Sequence, residues 1–516
     1  MKIILQKVSP IVFFIFCALM LALSLRGIKG NPTSESMNDS RWKDEGPIEL
    51  SPERGRFALT MSIVEDKSFH YSLPIARFTL PDLGYSNGNY VSLFAPLLSF
   101  VIIPGYLIGK TAGLSQVGTF AMVSIFALLN AFLIRSIAIE LKAHRIAAMI
   151  GAFTYLFATP GFTYAVSLYQ HHLSTFLILL SIFVLLKYKN IISLPVVWFL
   201  FALSIPLDYP NVFLMLPIAI YALGRIIYTT EIEKHITLNI KPLYILTLVT
   251  MIFPLLFFFW FNNVSYGNPL QLSGTVSSVK IIDLGGKPII TNTNEIIVGK
   301  KQQNLDQNKK NAIEFFNPRN LLNGFYIQFV SPDRGIMSYT PVILFGIFGW
   351  FVMYKKKQKF AVLFAAIIGT DVLLYSMWYD PWGGWAFGSR YLIPSYALLS
   401  IMIAILLTKF RKDSILSPVF TIVLTYSLII NSLGAITSNR NPPQVEVLNL
   451  EKLSGKVQKY TYERNWDYLT SNNSKAFVWQ AYAKYYVSAV QYYYLINGLL
   501  FMMGSALVLK LRFSKQ

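Results

Sequence analysis

The stretch FAVLFAAIIGTDVLLYSMWYDPWGGWAFGSRYLIPSYALLSIMIAILLT, residues 360–408, decides the class of fold. Its two apolar runs, 360–378 and 392–408, have close to the ~20 residues that a helix needs to cross a bilayer. Between them stand three tryptophans, three glycines, Asp380 and Arg390. A plain connection between two membrane helices needs only a few polar residues. We therefore expect a membrane protein whose connecting segments carry the chemistry.

The composition of the whole chain points the same way. Apolar residues make up 54% of the 516 residues and charged residues only 14%, whereas soluble domains carry about 25% charge. The net charge of +20 comes from short basic tracts at the ends of apolar runs, which is how membrane topology is set, so we expect no nucleic-acid partner. Cys17 is the one cysteine, which excludes an internal disulfide and a cysteine-based metal site.

Twelve apolar runs are predicted to span the membrane. They are 9–27, 114–134, 146–165, 173–188, 192–208, 211–228, 243–262, 337–354, 360–378, 392–408, 416–437 and 489–510. The first shows no small-residue cleavage pattern after it, so it is expected to stay as a helix. A thirteenth run, 89–109, contains Pro96, Pro104 and Gly105, which weaken a continuous helix.

The distribution of basic residues decides whether the run 89–109 is predicted to span the membrane. If it does not span, the basic tracts between the other runs share one side, as the positive-inside rule demands. We therefore predict an all-α protein with twelve membrane helices and an interfacial helix in the first outer loop. The chain 1–516 forms one membrane domain in the plasma membrane, with both termini cytoplasmic. The long loops 28–113, 263–336 and 438–488 then lie outside the cell.

The first outer loop contains SPERGRFALTMSIVE, residues 51–65. Phe57, Met61 and Val64 recur along one helical face, and SPE is typical of a helix start with proline at the first helical position. Glu53 then lies in the first turn and Arg56 one turn further on. In a purely structural interpretation, Glu53 complements the helix dipole and Arg56 is a solvated partner.

Six stretches, taken in order, resemble the GT-C membrane glycosyltransferases, which include protein O-mannosyltransferases and lipid A aminoarabinose transferases. They are ERGRF (53–57), LGYSNGNYVSLFAPLLS (83–99), LYQHHLSTFLILLSIFVLL (168–186), FNNVSYGNPLQLSG (261–274), SPDRGIMSYTPVIL (331–344) and WGGWAFGSRY (382–391). The chain departs from the pattern at Thr340, where serine is usual, and at Ser389, where proline is commoner. The paired Asp-Glu of many mannosyltransferases is not found at Glu53, and residues after about 437 match no motif of the group.

The resemblance implies transfer of a sugar from a polyprenyl-phosphate donor to a protein, lipid or glycan acceptor on the extracytoplasmic face. A carboxylate would deprotonate the acceptor hydroxyl, and arginines would stabilise the departing phosphate. The implied catalytic residues are Glu53 as general base and Asp82 as second acid, with Asp44 or Glu45 as alternative bases. The implied phosphate ligands are Arg56, Arg334, Arg390 and His171 or His172.

The same resemblance implies how the segment of residues 378–396 is used. Gly383, Gly384 and Gly388 would permit a tight backbone path, so that Arg390 meets the phosphate at headgroup depth beside a wall of tryptophans. A cavity under the first and fourth outer loops would hold the lipid tail. The five histidines show no zinc spacing. We expect no certain cofactor, although carboxylates could hold a divalent cation.

Other interpretations of the sequence remain. The tryptophans could form an aromatic belt, with Asp380 and Arg390 paired to each other. A transporter or lipid flippase also suits twelve helices, and Asp371 within the run 360–378 favours it, since ionisable groups inside membranes are usually functional. However, no internal repeat is evident. An oligosaccharyltransferase subunit would carry a Trp-Trp-Asp tripeptide, which is absent, and a catalytically inactive scaffold is the fourth alternative.

Overall fold

The computed structural model describes residues 9–232, 235–289 and 312–514. The chain is mostly helical, with 68% of its residues in helices. Part of the predicted outer loop 263–336, residues 290–311, lies outside the described residues, as does the N-terminal segment 1–8.

An apolar helix coincides with each of the twelve predicted runs. Within the described part of the chain, six are long and apolar enough to cross a membrane: Ser115–Glu140, Pro242–Tyr266, Lys359–Ser376, Arg390–Lys409, Leu416–Ile436 and Ala489–Arg512. Six more are shorter: Pro10–Ser24, Arg145–Phe157, His171–Lys187, Ser193–Leu207, Asn211–Ile226 and Pro341–Lys355. The chain is a multi-pass membrane protein, and the number of twelve crossings stays a prediction.

The helix Arg390–Lys409 forms the centre of the bundle. In its most apolar 18-residue stretch 89% of the residues are buried, whereas in that of Pro242–Tyr266, at the periphery, only 17% are buried. Glycines let neighbours approach it closely. A Cβ atom on Gly349 would come 2.0 Å from the carbonyl oxygen of Met402, and one on Gly151 would come 2.5 Å from that of Ser400. Small residues at such crossings are how membrane helices gain packing contacts.

The run 89–109 does not form one continuous helix. It begins as a strand, Asn89–Ser92, and continues as two short helices, Leu97–Val101 and Ile103–Thr111, which meet at Ile102. This break agrees with the expected weakening by proline. Whether the segment lies at the membrane interface stays a prediction.

Short antiparallel sheets add to the predicted all-α architecture. The hairpin Leu83–Ser86 and Asn89–Ser92 turns at Asn87-Gly88, both with positive φ, because Asn-Gly favours the two-residue hairpin turn. Ser277–Val279 joins its first strand as a third, which ties the first outer loop to the loop 263–336. Two smaller hairpins pair Ile227–Ile232 with His235–Ile240 and Ile281–Ile282 with Pro288–Ile289.

Short helices occupy the loops predicted to lie outside the cell and, at Gly161–Ala165, the end of the predicted run 146–165. The α-helices are Ser40–Lys43, Ser51–Met61, Leu73–Thr79, Gly161–Ala165, Leu321–Phe329, Ile336–Tyr339, Gln444–Ser454, Glu463–Thr470 and Phe477–Ala481. Single 3-10 turns are Ser36–Asn38, Ser273–Thr275, Ala312–Phe315, Pro318–Asn320 and Ala483–Tyr485. The loop 438–488 contains four of these short elements.

Candidate active site

The helix Ser51–Met61 carries two of the predicted site residues, Glu53 and Arg56. Its N-cap is Leu50, so the helix begins one residue earlier than predicted. The Ser51 hydroxyl instead donates a hydrogen bond to Asp82 Oδ2 at 2.5 Å. Asp82 is one-third exposed and lies 3.5 Å from Lys280 Nζ. It therefore lies at the start of this helix and lines neither of the two cavities described below.

The Glu53 carboxylate is completely buried and is held by backbone N–H groups. The N–H groups of Glu49 and Leu50 donate to Oε2, each at 3.1 Å, and that of Leu168 donates to Oε1 at 3.3 Å. Burial raises the pKa of Glu53 above its ordinary value, although Arg26 and the N–H donors act in the opposite direction. A carboxylate with a raised pKa is a stronger base than an exposed one.

A polar cavity of about 890 Å³ lies between the first and the last outer loops. We call it the polar cavity. Its described lining contains six basic and four acidic side chains together with amides: Lys29, Arg41, Asp44, Glu45, Glu49, Arg440, Asn441, Arg464, Asn465, Asp467, Asn473, Lys475, Gln480 and Lys484. Both alternative bases, Asp44 and Glu45, are therefore found here. The loop 438–488, which had offered no sequence motif, supplies most of the wall.

Glu49 at the base of the polar cavity is an ionised, paired carboxylate. Its Oε2 lies 3.0 Å from Arg26 Nη1 and its Oε1 lies 3.7 Å from Lys475 Nζ. Burial would raise the pKa of Glu49, but Lys475, Arg26 and Arg440 outweigh burial and hold it below its ordinary value. Glu49, in the loop 28–113, thus contacts Arg26 at the end of the helix Pro10–Ser24 and Lys475 in the loop 438–488.

An apolar cavity of about 730 Å³ has Pro52 and Arg56 of the helix Ser51–Met61 in its lining. We call it the apolar cavity. Aromatic and aliphatic side chains make up most of its wall: Leu93, Phe94, Ile205, Val212, Phe213, Phe258, Phe315, Phe316, Tyr375, Trp378 and Tyr391. It lies between the first outer loop and the loop 263–336, the fourth in chain order, as the cavity for a lipid tail was expected to do.

Arg56 and Arg390 both line the apolar cavity and meet at Tyr169. The Arg390 guanidinium lies 4.8 Å from the centre of the Tyr169 ring, and that of Arg56 lies 5.7 Å from it. The two cations come from outer segments more than 300 residues apart in the sequence. Their convergence at one ring places two positive charges on a mainly apolar wall that also contains the Asp208 carboxyl group.

The Arg390 side chain has spare hydrogen-bonding capacity. Its Nη2 donates to the Gly383 carbonyl at 2.7 Å. Its Nε and Nη1 are buried and have no hydrogen-bond partner within residues 9–232, 235–289 and 312–514; we call them the open nitrogens of Arg390. The rings of Tyr169 and Tyr391 lie over the guanidinium, which compensates the buried charge in part. An anion would supply the missing acceptors.

Arg56 is linked through Gln170 to Asp208. Arg56 Nη2 donates to Gln170 Oε1 at 2.6 Å, and Gln170 Nε2 donates to Asp208 Oδ2 at 2.8 Å. All three side chains line the apolar cavity. From the sequence, Asp208 reads as an ordinary helix end, and nothing in the sequence pairs it with a residue of the first outer loop.

The two adjacent histidines have different surroundings. His171 lines the apolar cavity, stacks on Tyr169 at 5.9 Å between ring centres, and its Nε2 is without a partner among the residues that the structure describes. His172 is fully buried in the helix bundle, where Tyr155 lies 3.1 Å from Nδ1 and the Gly161 carbonyl 2.8 Å from Nε2. Of the two, His171 can meet an anion in the cavity.

Arg334 is 1% exposed and lines neither cavity. It donates to the backbone carbonyls of Asp333, Trp382, Gly384 and Asn441 at 2.8–3.2 Å. These bonds hold the loop whose Gly383 carbonyl accepts from Arg390. The structure therefore separates Arg334 from the other two predicted phosphate ligands.

Asp380 folds the same loop. Its carboxylate accepts hydrogen bonds from the N–H groups of Trp382 and Gly384, while Arg390 bonds to a carbonyl. Gly383, Gly384 and Gly388 all have φ between +61° and +73°, a region that glycine enters freely, so the predicted tight path is observed. Trp378 lines the apolar cavity, whereas Trp385 donates to Glu446, so the tryptophans do not form one wall.

Asp371, the residue that favoured a transporter, lies inside the bundle. It is fully buried and accepts a hydrogen bond from Ser395 of the next helix, rather than from Tyr375 or Thr370. It lines neither cavity. Within the described ranges, no three His, Cys, Asp or Glu side chains are grouped to hold a metal ion.

No protein-family model matches the chain, and none of the curated proteins matches it. Among solved structures the chain is similar to ArnT from Cupriavidus metallidurans in the apo state, with 11% identity, 97% of this chain and 76% of that chain covered, and a TM-score of 0.44. The structure of the same protein bound to undecaprenyl phosphate gives 12% identity, 97% and 75% coverage, and 0.43. ArnT is a GT-C glycosyltransferase, of the group that the sequence motifs resemble. At this identity a likeness concerns the fold at most, so function has to follow from the site.

Proposed function

We propose that the protein is a membrane glycosyltransferase that uses a polyprenyl-phosphate-linked sugar as donor and acts on the extracytoplasmic face. The convergence of Arg56 and Arg390 on Tyr169, at the wall of an aromatic-lined cavity, carries the proposal. An isoprenoid tail needs an apolar channel, and the phosphate at its end needs cations. The apolar cavity offers both within one space.

The donor phosphate is placed against Arg56, Arg390 and His171. The open nitrogens of Arg390 would donate to phosphate oxygens, and charge-assisted bonds of this kind are the strong ones. When the bond between the anomeric carbon and the phosphate oxygen breaks, its electron pair leaves with the phosphate. Fixed cations in a site of low dielectric constant stabilise that developing charge.

Glu53 is proposed as the general base. It would accept the proton of the acceptor hydroxyl while the hydroxyl oxygen forms its bond to the anomeric carbon. Its raised pKa suits this task, and its carboxylate is fully buried behind the linings of both cavities. The three N–H donors leave lone pairs free, since an ionised carboxylate can accept about four hydrogen bonds. Glu49, just before this helix, lines the polar cavity, and Arg56, within it, lines the apolar cavity.

The other predicted residues receive different roles in this proposal. Arg334 and Asp82 hold the backbone rather than substrate, because their partners are carbonyl groups and a helix-start serine. Asp44 and Glu45 lie in the polar cavity and remain the alternative bases. A divalent cation has no grouped ligands in the described ranges, so no step is assigned to one.

Label transfer with purified protein in lipid tests the proposal. The protein would receive radiolabelled polyprenyl-phosphate sugars and host envelope extract, and wild type would be compared with Glu53→Gln. The exposed Glu35→Gln, in the same outer loop, is the matched control. We expect Glu53→Gln to lose transfer and keep donor binding. Survival of transfer would move the base to Asp44 or Glu45. Flux of substrate through sealed vesicles without transfer would refute the enzyme and favour the transporter.

A further inference from the structure

The polar cavity has a lining whose chemistry is unlike that of the apolar cavity. Its described wall combines carboxylates, guanidinium and ammonium groups, four side-chain amides and the rings of Tyr468 and Tyr485. We infer that this cavity receives the acceptor of the proposed transfer and that the acceptor is a hydroxyl-rich, water-soluble glycan. The inference rests on the proposed function and names its second substrate by chemical class.

The mixed charge of the wall favours hydroxyl groups over an anion. Each sugar hydroxyl both donates and accepts, so it pairs with carboxylates such as Asp44 and with cations such as Arg464 at the same time. Four acidic side chains stand among the six basic ones in the described lining, so the wall is not the uniformly cationic surface that a polyanion would need. Amides such as Asn473 offer a donor and an acceptor together. Such a wall matches the alternating demands of a glycan.

The location of the cavity disfavours a lipid acceptor. All of its described lining belongs to the outer loops 28–113 and 438–488, and none belongs to the predicted membrane runs. The apolar cavity differs, since Ile205, Phe213, Phe258 and Tyr375 come from such runs. An acyl chain would therefore find only a few apolar groups, such as Ile28, in the polar cavity, and removing it from the bilayer costs about 0.8 kcal/mol per CH₂ group.

The helix Ser51–Met61 connects this cavity to the proposed chemistry. Glu49 lines the polar cavity, and Pro52 and Arg56 line the apolar cavity. Glu53 lies between them in sequence, and its carboxylate bonds to the N–H of Glu49 on one side and that of Leu168, next to Tyr169, on the other. Glu53 is itself fully buried and lines neither cavity, so this segment places it between the proposed acceptor space and the donor phosphate.

The test supplies the labelled donor with three acceptor fractions from the host envelope: the organic lipid extract, the proteins, and the delipidated, deproteinised glycans. Arg464→Gln and Asn473→Ala each remove one polar-cavity side chain, and the second is an exposed position where folding is little affected. Arg319→Gln, exposed and outside both cavities, is the control. We expect label in the glycan fraction and a rise in glycan KM of about tenfold for Arg464→Gln, the loss of one charged hydrogen bond.

Each possible result supports or overturns the glycan inference. Label in the lipid or the protein fraction would overturn the glycan inference and leave the glycosyltransferase intact. Label in the glycan fraction with KM unchanged in both variants would show that the acceptor binds elsewhere. No label in any fraction, with donor bound, would refute the proposed function itself. Donor binding should stay at the wild-type level in Arg464→Gln and Asn473→Ala, because neither residue lines the apolar cavity.

Discussion

Replacing Arg390 tests the donor-phosphate site most directly. Arg390→Gln removes the charge and the open nitrogens but keeps a side chain that can still donate to the Gly383 carbonyl. Arg390→Lys keeps the charge and loses the planar fork, which lysine cannot replace at a phosphate. The exposed Arg319→Gln is the control for the loss of one positive charge on the outer face.

The magnitude follows from the partners that Arg390 lacks. Two open nitrogens could form two hydrogen bonds to phosphate, each contributing about 1.5–3 kcal/mol when a charge is involved. Arg56 at the same Tyr169 ring would retain part of the field. We therefore expect Arg390→Gln to lower kcat/KM by about 10²- to 10³-fold, the effect of losing one preorganised donor to a developing anion. Arg390→Lys should lose about tenfold less.

The assay measures binding of polyprenyl phosphate and release of label from the donor, both with protein in lipid nanodiscs. Thermal stability of each variant separates loss of fold from loss of phosphate contact. If folded Arg390→Gln bound polyprenyl phosphate and turned over donor like Arg319→Gln, the placement of the phosphate at Arg390 would be wrong. If binding weakened while the turnover number stayed unchanged, Arg390 would stabilise the bound donor and the transition state equally.

Three further outcomes are expected. Because burial raises the pKa of Glu53, the acid limb of kcat/KM against pH should lie above 4.5, and a limb at or below 4.5 would exclude Glu53 as base. Arg334→Lys should lower the free energy of unfolding by about 3 kcal/mol or more, since buried carbonyls lose their donors, and unchanged thermal stability would contradict this. Glu49→Gln should cost about 3–5 kcal/mol by unpairing Arg26. The pKa of Glu49 is lower in the folded protein, so this stabilisation is present above pH 4.5 and is lost as pH falls through the folded pKa; a pH-independent cost would contradict the pairing.

The helical framework could be predicted because apolar length is a strong signal. Every predicted run coincides with an apolar helix, and the prolines of 89–109 predicted its break correctly. The hairpin at Asn87-Gly88 could also be predicted, because Asn-Gly between two short runs is typical of a two-residue hairpin turn. Whether a helix crosses the bilayer depends on how it lies in the membrane. Six of the apolar helices have only 13 to 17 residues, and such a length does not decide it.

The site was predictable only in part, because sequence shows residue type and not which partners a side chain has. Arg56, Arg390 and His171 were predicted and share the apolar cavity. Gln170 and Asp208 were missed, since the link from Arg56 to Asp208 joins three distant segments. Glu49 and the last outer loop carried no motif at all. The polar cavity forms where the segments 28–49 and 438–485 meet.

The arginines show why a matching motif does not assign a role. Arg334 and Arg390 stand in two adjacent motifs, and both contact the backbone of the loop 380–384. The difference lies in hydrogen-bond supply: Arg334 meets four carbonyl oxygens, whereas Arg390 meets one and keeps its open nitrogens. A buried guanidinium saturated by the protein stabilises structure, and one left short of acceptors beside a cavity is arranged for an anion. Arg334 thus holds in place the loop whose Gly383 carbonyl accepts a hydrogen bond from Arg390.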